Sequence, residues 1–244
     1  MSRPLLELKG LAKRFGGVVA IDRIDFSIEP RDVLAIVGPN GAGKTTLFHL
    51  ISGHMAPDAG EIYFQGSKIT QLSTEERVCF GISRTFQKTK LFYGLTVEQN
   101  VQLGCFLKER GGLKRILLGA PRSEQKMLSE RITQILKLTG LMRFRHYLAS
   151  QLSYGYQRRL EIANALGSNP QLLLLDEPFG GLSPQSIEEI GLLIRRLNSE
   201  GITIIFIEHR MESVVAYCNR LFVMQGGSLI LPTQPLESSH AKRS

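Results

Sequence analysis

Residues 38–45 read Gly38-Pro39-Asn40-Gly41-Ala42-Gly43-Lys44-Thr45, a G-x-x-x-x-G-K-T spacing whose chemistry is anion binding. Glycines let the backbone close around a phosphate and aim its N–H groups inward. A helix starting at the end of the loop adds the positive end of its dipole. Lys44 has the reach for terminal phosphates, and the Thr45 hydroxyl can hold Mg²⁺. With Thr46 behind them, these residues form the expected contact set for a nucleoside triphosphate. Further on, the apolar run Leu172-Leu173-Leu174-Leu175 ends in two carboxylates, Asp176-Glu177. Asp176 is expected to complete Mg²⁺ coordination, directly or through water. Glu177 lies one residue on, points elsewhere, and can polarise an attacking water as general base. Gln87 can bridge metal and water through its amide. His209 can hydrogen-bond the γ-phosphate or orient Glu177. Ser153 and the Gly155 backbone, with Tyr154 between them, make a second anion site at a predicted helix N-terminus.

The elements that must position these groups follow from apolar patterning. Val33-Leu34-Ala35-Ile36-Val37 reads as a buried strand feeding the glycine loop, and residues 46–51 continue it as a helix. Before that, short strands are predicted at 5–8 and 24–28, with Phe15-Gly16-Gly17 as a turn. Phe15, just upstream of the loop, can stack on an adenine ring or fill the core. A further strand is expected at 61–65 after the turn Pro57-Asp58-Ala59-Gly60. Residues 96–148 are mainly helical by pattern, with a looser linker at Gly111-Gly112 and Gly119-Ala120-Pro121. Ser123 is expected to cap a helix that carries Leu128, Ile132, Ile135, Leu136 and Thr139 on one face. Another helix runs from the serine motif to about Leu166, and one from Pro184 to about Leu197. Strands are expected from Leu172 to the two carboxylates Asp176-Glu177, and at 202–207, 221–224 and 228–231, followed by a polar tail. The expected organisation is a single domain over 1–244 with a helical subdomain inserted at 88–157.

Composition narrows the possibilities. At 244 residues the chain fits one large domain, or one carrying an inserted subdomain. Apolar runs such as 172–175 and 204–207 fall far short of the roughly 18 residues a membrane span needs. No apolar signal segment follows Met1-Ser2-Arg3-Pro4, so the expectation is a soluble protein that stays where it is made. Cys79, Cys105 and Cys218 lie far apart with no C-x-x-C pair, which points to reduced thiols rather than zinc or disulfides. The formal charge of +8 suits nucleic acid, an anionic membrane surface, or nothing specific. Its basic residues are scattered, and no basic run interleaved with aromatics offers a nucleic-acid platform.

Taken in order, Phe15, the phosphate loop, Gln87, the run Leu152-Ser153-Tyr154-Gly155-Tyr156-Gln157, Asp176-Glu177, Gly181-Leu182 and His209 resemble the ATP-binding subunits of ABC transporters. The phosphate loop is that family's Walker A motif. The finer resemblance is to its branched-chain amino acid import branch. It rests on Arg84-Thr85-Phe86-Gln87, Leu91-Phe92, Leu95-Thr96-Val97-Glu98-Gln99-Asn100 and Arg158-Arg159-Leu160-Glu161-Ile162-Ala163. The fold so implied is an α/β P-loop NTPase core with an antiparallel β subdomain and an inserted α-helical subdomain. The resemblance also implies ATP and Mg²⁺ as ligands, and an ATP sandwiched between one subunit's loop and Ser153, Tyr154 and Gly155 of the other. The implied partners are a second ATP-binding subunit, alike or different, transmembrane permease subunits and, indirectly, a substrate-binding protein, with work done at the cytoplasmic face of the cell membrane. Tyr156 stands where the family usually has Gln, Ser183 where it has Asp or Asn, and Arg210 where the branch has Asp. The tail after Leu231 is shorter than the family's closing helix. A soluble ATPase of the same kind acting on nucleic acid or the ribosome is the competing reading. Such relatives usually carry paired cassettes, a long coiled coil or zinc cysteines, none of which is present here.

Overall fold

The computed structural model describes residues 3–85, 91–106, 122–212 and 214–230. Three strands, β3 (Val33–Val37), β7 (Leu172–Asp176) and β8 (Thr203–Glu208), are buried along their whole length. That explains their unbroken apolar runs, since a parallel sheet covered on both faces has no solvent side to alternate with. They form the middle of a six-stranded sheet with β6 (Ile82–Arg84), β9 (Arg220–Gln225) and β10 (Ser228–Ile230), in the order β10-β9-β3-β8-β7-β6. Every pairing in it is parallel except β9 with β10.

Successive side chains on these strands feed two cores. Val33, Ala35, Val37, Leu173, Leu175, Ile204 and Phe206 pack on one face with α3 (Val97–Phe106), α4 (Arg122–Leu138), α5 (Tyr154–Leu166) and α6 (Pro184–Ser199). Leu34, Ile36, Leu172, Leu174, Ile205 and Ile207 pack on the other with α1 (Lys44–Ser52) and a second, antiparallel sheet. That sheet has the order β2-β1-β4-β5, from β1 (Leu6–Phe15), β2 (Val18–Ile28), β4 (Ala59–Phe64) and β5 (Ser67–Lys68). The period of two along each strand assigns residues to one core or the other.

The antiparallel strands are longer than their apolar segments. β1 and β2 continue to a hairpin at Gly16-Gly17, where Phe15 pairs Val18 and Arg14 pairs Val19. Beyond the expected segments Leu11 and Ile21 are the buried residues among mostly polar or half-exposed ones, so backbone pairing carries the ladder where patterning alone stopped early. β4 begins at Ala59, inside the expected turn, because Ala59 pairs Ala12 and Asp58 N donates to Ala12 O (2.9 Å). At Gly60 a Cβ would lie 2.4 Å from the Gly10 carbonyl oxygen, so only glycine admits this approach.

A helix not expected from the sequence, α2 (Thr74–Phe80), is announced by a capping box between Ser73 and Glu76. It presents Arg77, 1 % exposed, to the C-terminal end of α1. The guanidinium donates to the carbonyls of Ile51 (2.8 Å), Thr70 (2.9 Å), Leu72 (3.1 Å) and Leu50. Burial pulls this arginine down to about 10. The helix that follows the phosphate loop is thereby anchored at its far end.

In the helical layer the face of Leu128, Ile132, Ile135, Leu136 and Thr139 packs inward as the spacing requires. Ser123 does not cap α4; the helix starts at Arg122 and takes Ser123 into its first turn. α3 and α5 cross with their backbones in contact. A Cβ on Gly104 would lie 2.2 Å from Asn164 O, and one on Gly167 2.5 Å from Cys105 N. Buried Asn100 braces the segment before α3, accepting from Phe92 N (2.9 Å) and donating to the carbonyls of Phe92, Leu95 and Thr96. The expected linker at 111–121 and the polar tail after residue 230 lie outside the described residues.

Candidate nucleotide-binding site

Parallel strands in register end together, and their carboxyl ends are where open α/β sheets place ligands. Val37 pairs Glu208 and Asp176 pairs Ile207, so Gly38, Asp176, Glu177, Glu208 and His209 leave the sheet at one edge. Two backbone bonds continue the pairing past the strand ends: Gly38 N to Glu208 O (3.3 Å) and Glu177 N to Ile207 O (3.1 Å).

The loop after β3 is shaped by its neighbours as much as by its own turns. A Cβ on Gly38 would sit 2.1 Å from Met224 O, and one on Gly43 2.3 Å from Ala20 O. Gly43, at φ +105°, hands the chain to α1, whose first turn carries no acidic residue and whose N-terminus has no side-chain cap. Its positive end and its free N–H groups are left for a ligand. Lys44 is 5 % exposed and folds back over the loop, donating to Gly38 O (2.6 Å) and Pro39 O (2.9 Å). Burial lowers its pKa, and the charges of Glu177, Glu208 and Asp176 oppose that shift. Thr45 and Thr46 are half-buried in the same first turn.

The Asp176 side chain is fully buried. Its Oδ2 takes Arg84 Nη2 at 2.6 Å, and its backbone N–H donates to Thr85 Oγ1 (3.2 Å). The second oxygen, Oδ1, is buried with no partner among the described residues. Burial pushes this carboxyl up, against the pull of Arg84. A buried, unpaired carboxylate oxygen beside a phosphate loop fits Mg²⁺, which takes one or two carboxylates together with phosphate oxygens.

Glu177 has φ +50°, a left-handed conformation that an L-residue adopts only when its surroundings impose it. His209 Nε2 stands 2.6 Å from Glu177 Oε1. Glu208, buried between them in sequence, accepts from Phe179 N (2.8 Å), and burial pushes its carboxyl up. That bond ties the turn after Glu177 to the end of β8. Sequence reasoning passed over Glu208 and gave Arg84 no role. For Glu208 the available signal was a charge closing the apolar run 204–207, the same signal that marked Asp176; Arg84, after Ile82-Ser83, carried none.

Phe15 ends β1 with 47 % exposure, and Lys13 Nζ is 5.9 Å from its ring centroid. An aromatic this open is available for stacking. Gln87 lies outside the described residues. Ser153 caps α5 with no side-chain hydrogen bond, and it is exposed. Tyr154 accepts from Arg158 Nη2 (2.7 Å), and a Cβ on Gly155 would meet Ser186 Oγ at 2.9 Å. The first contact lies within α5 and the second faces α6; no hydrogen bond among the described residues joins Ser153, Tyr154 or Gly155 to the phosphate loop. Tyr156 packs its ring 4.5 Å from Phe144 and between the guanidinium groups of Arg143 and Arg159. Ser183 caps α6, accepting from Ser186 N (3.3 Å).

A family model described as ABC transporter matches residues 21–180. The high-affinity branched-chain amino acid transport ATP-binding protein LivG of Escherichia coli K12 is 37 % identical over 231 residues, covering 93 % of this chain and 91 % of LivG. The corresponding BraF protein of Pseudomonas aeruginosa is 35 % identical over 239 residues, covering 96 % and 93 %. Among solved structures, the ADP conformation of MJ1267, an ATP-binding cassette of an ABC transporter, superposes with a TM-score of 0.85 at 31 % identity, covering 97 % of this chain and 94 % of that one. The dimeric structure of MJ0796, a bacterial ABC transporter cassette, gives 0.77 at 30 % identity, covering 92 % and 96 %.

Proposed function

This chain belongs to the ABC transporter family as an ATP-hydrolysing, ATP-binding subunit, and we propose that it energises the import of branched-chain or related amino acids. The observation that carries the catalytic part is the convergence, at one sheet edge, of Lys44, Asp176 with a free buried oxygen, and the Glu177–His209 pair. The amino-acid assignment rests on the named activity of LivG and BraF.

The roles divide as follows. Phe15 stacks on the adenine, and residues 38–46 wrap the phosphates through backbone N–H groups and the Lys44 ammonium. Thr45 and Asp176 would hold Mg²⁺, with Gln87 as a further ligand, and the ion would supply neutralisation of phosphate charge there. Glu177 accepts a proton from the attacking water. His209 holds the Glu177 carboxylate in place and reaches the γ-phosphate. Ser153, Tyr154 and Gly155 supply the second anion site, and the exposure of Ser153 with no side-chain capping bond favours its delivery to a second subunit. The dimeric relative supports that arrangement.

The insertion at 88–157 carries this second site and, in the same reading, the contact with the permease. Phe92, Tyr93, Tyr147 and Leu148 are exposed around the segment that Asn100 braces, an apolar surface suited to a membrane subunit. The subunit then works peripherally at the cytoplasmic face of the membrane, with a substrate-binding protein acting only through the permease. Among the described residues, no helix is long and apolar enough to cross a bilayer. Recovery of the tagged chain from detergent-solubilised native membranes tests this. A permease should accompany it, with ATP turnover that rises when an amino-acid-loaded binding protein is added. The charge of +8 is the one feature favouring a nucleic-acid ATPase, and exclusive recovery with RNA or ribosomes would establish that instead.

A further inference from the structure

Arg84 closes β6, the edge strand beside β7, and its side chain is 5 % exposed. Its guanidinium carbon lies 5.6 Å from the ring of Phe48, one turn beyond Lys44 on α1. Only Nη2 bonds Asp176, at Oδ2; Nε and Nη1 are buried with no partner among the described residues, as is Asp176 Oδ1. The next residue continues the grip. Thr85 N donates to Leu174 O (2.9 Å) and Thr85 Oγ1 accepts from Asp176 N (3.2 Å). Consecutive residues thus hold the carboxylate and the amide of one aspartate.

An arginine–carboxylate pair built for stability closes as a two-bond fork, which satisfies both oxygens. A single bond that leaves the other oxygen buried and bare is expensive in a folded core. It makes sense if that oxygen is reserved. Resting on the metal-binding reading of Asp176, we propose that Arg84 is a positioning residue for the metal. It pins Asp176 by Oδ2, stacks on Phe48 to fix its own plane, and thereby presents Oδ1 to the Mg²⁺–nucleotide.

The test measures metal binding directly, with no turnover in the readout. The full chain is saturated with ATP, and Mn²⁺ affinity is followed by electron paramagnetic resonance. ATP affinity in EDTA is measured in parallel. Arg84→Met should weaken Mn²⁺ binding by about 10–100-fold, the usual cost of losing a partner that orients a metal ligand. Metal-free ATP binding should stay unchanged, and Arg84→Lys should recover part of the loss. Unchanged Mn²⁺ affinity in Arg84→Met overturns the proposal, and so does a parallel loss of metal-free ATP binding. Should Arg84→Met fail to fold, Arg84→Lys decides by itself: weaker Mn²⁺ binding at constant metal-free ATP affinity supports the role, and wild-type Mn²⁺ binding rejects it. Asp176→Asn separates the two layers. If it binds Mn²⁺ as the wild type does, Asp176 is no ligand; if it loses Mn²⁺ while Arg84→Met keeps it, only the arginine's role falls.

Discussion

His209 Nε2 meets Glu177 Oε1 at 2.6 Å although the residues leave different strands of the sheet. The carboxylate is thereby held on a backbone already turned to φ +50° at Glu177. A base fixed on both sides pays little to reach its working geometry.

Replacing Glu177 with Gln keeps shape and loses the proton acceptor. Turnover should fall by about 10²–10⁴-fold, the usual contribution of a positioned base, with ATP affinity retained. An ATP-bound dimer should accumulate, visible as a doubled mass in light scattering. Wild-type hydrolysis in this variant would remove Glu177 from the role.

Lys44→Ala should cost about 3 kcal/mol of barrier, the usual loss for one preorganised charge-stabilising donor. It also removes a buried cation that interacts with the charges of Glu177, Glu208 and Asp176, although Arg84 still pairs Asp176. Binding of a fluorescent ATP analogue and phosphate release together check both effects.

At Gly104 the usual rule for helices is reversed. Alanine inside a helix is ordinarily better than glycine by about 1 kcal/mol. Here the added Cβ would lie 2.2 Å from the Asn164 carbonyl. Gly104→Ala should therefore destabilise the chain by about 1–3 kcal/mol as α3 and α5 are forced apart. Urea unfolding reads the change, and a gain in stability would contradict the observed crossing.

His49 offers a pH signature. Burial, then the charge of Arg84, then His54 lower it to about 4. In the unfolded chain it titrates near 6.5, so between pH 6.5 and 4 the unfolded state binds the extra proton. The contribution is complete above pH 6.5 and is lost as pH falls toward 4. His49→Gln should flatten that part of the stability–pH curve measured by denaturant midpoints; an unchanged slope would mean that His49 protonates freely in the folded chain.

The glycine loop, the apolar strands that end in charge, and the inward face of α4 are legible because each is local. Backbone freedom, burial and periodicity act over a few residues. The same locality hid the full length of β1 and β2, whose outer residues are held by pairing across their hairpin, and the early start of β4, held by pairing with the distant β1. α2 was local too, but its capping box introduces a short helix with one charged side chain turned inward, and an apolar count passes over it.

By itself the sequence determined the phosphate loop, the acidic strand end and the order of elements around them, since residue type and spacing carry that chemistry. Only the tertiary structure decided that Arg84 takes one oxygen of Asp176 and leaves the other bare, that His209 meets Glu177, and that Glu208 ties down the turn at Phe179. The parallel sheet brings residues 84, 176 and 208 to one edge. Contact across strands so far apart in the chain is set by register, and register leaves no mark on any single stretch of sequence.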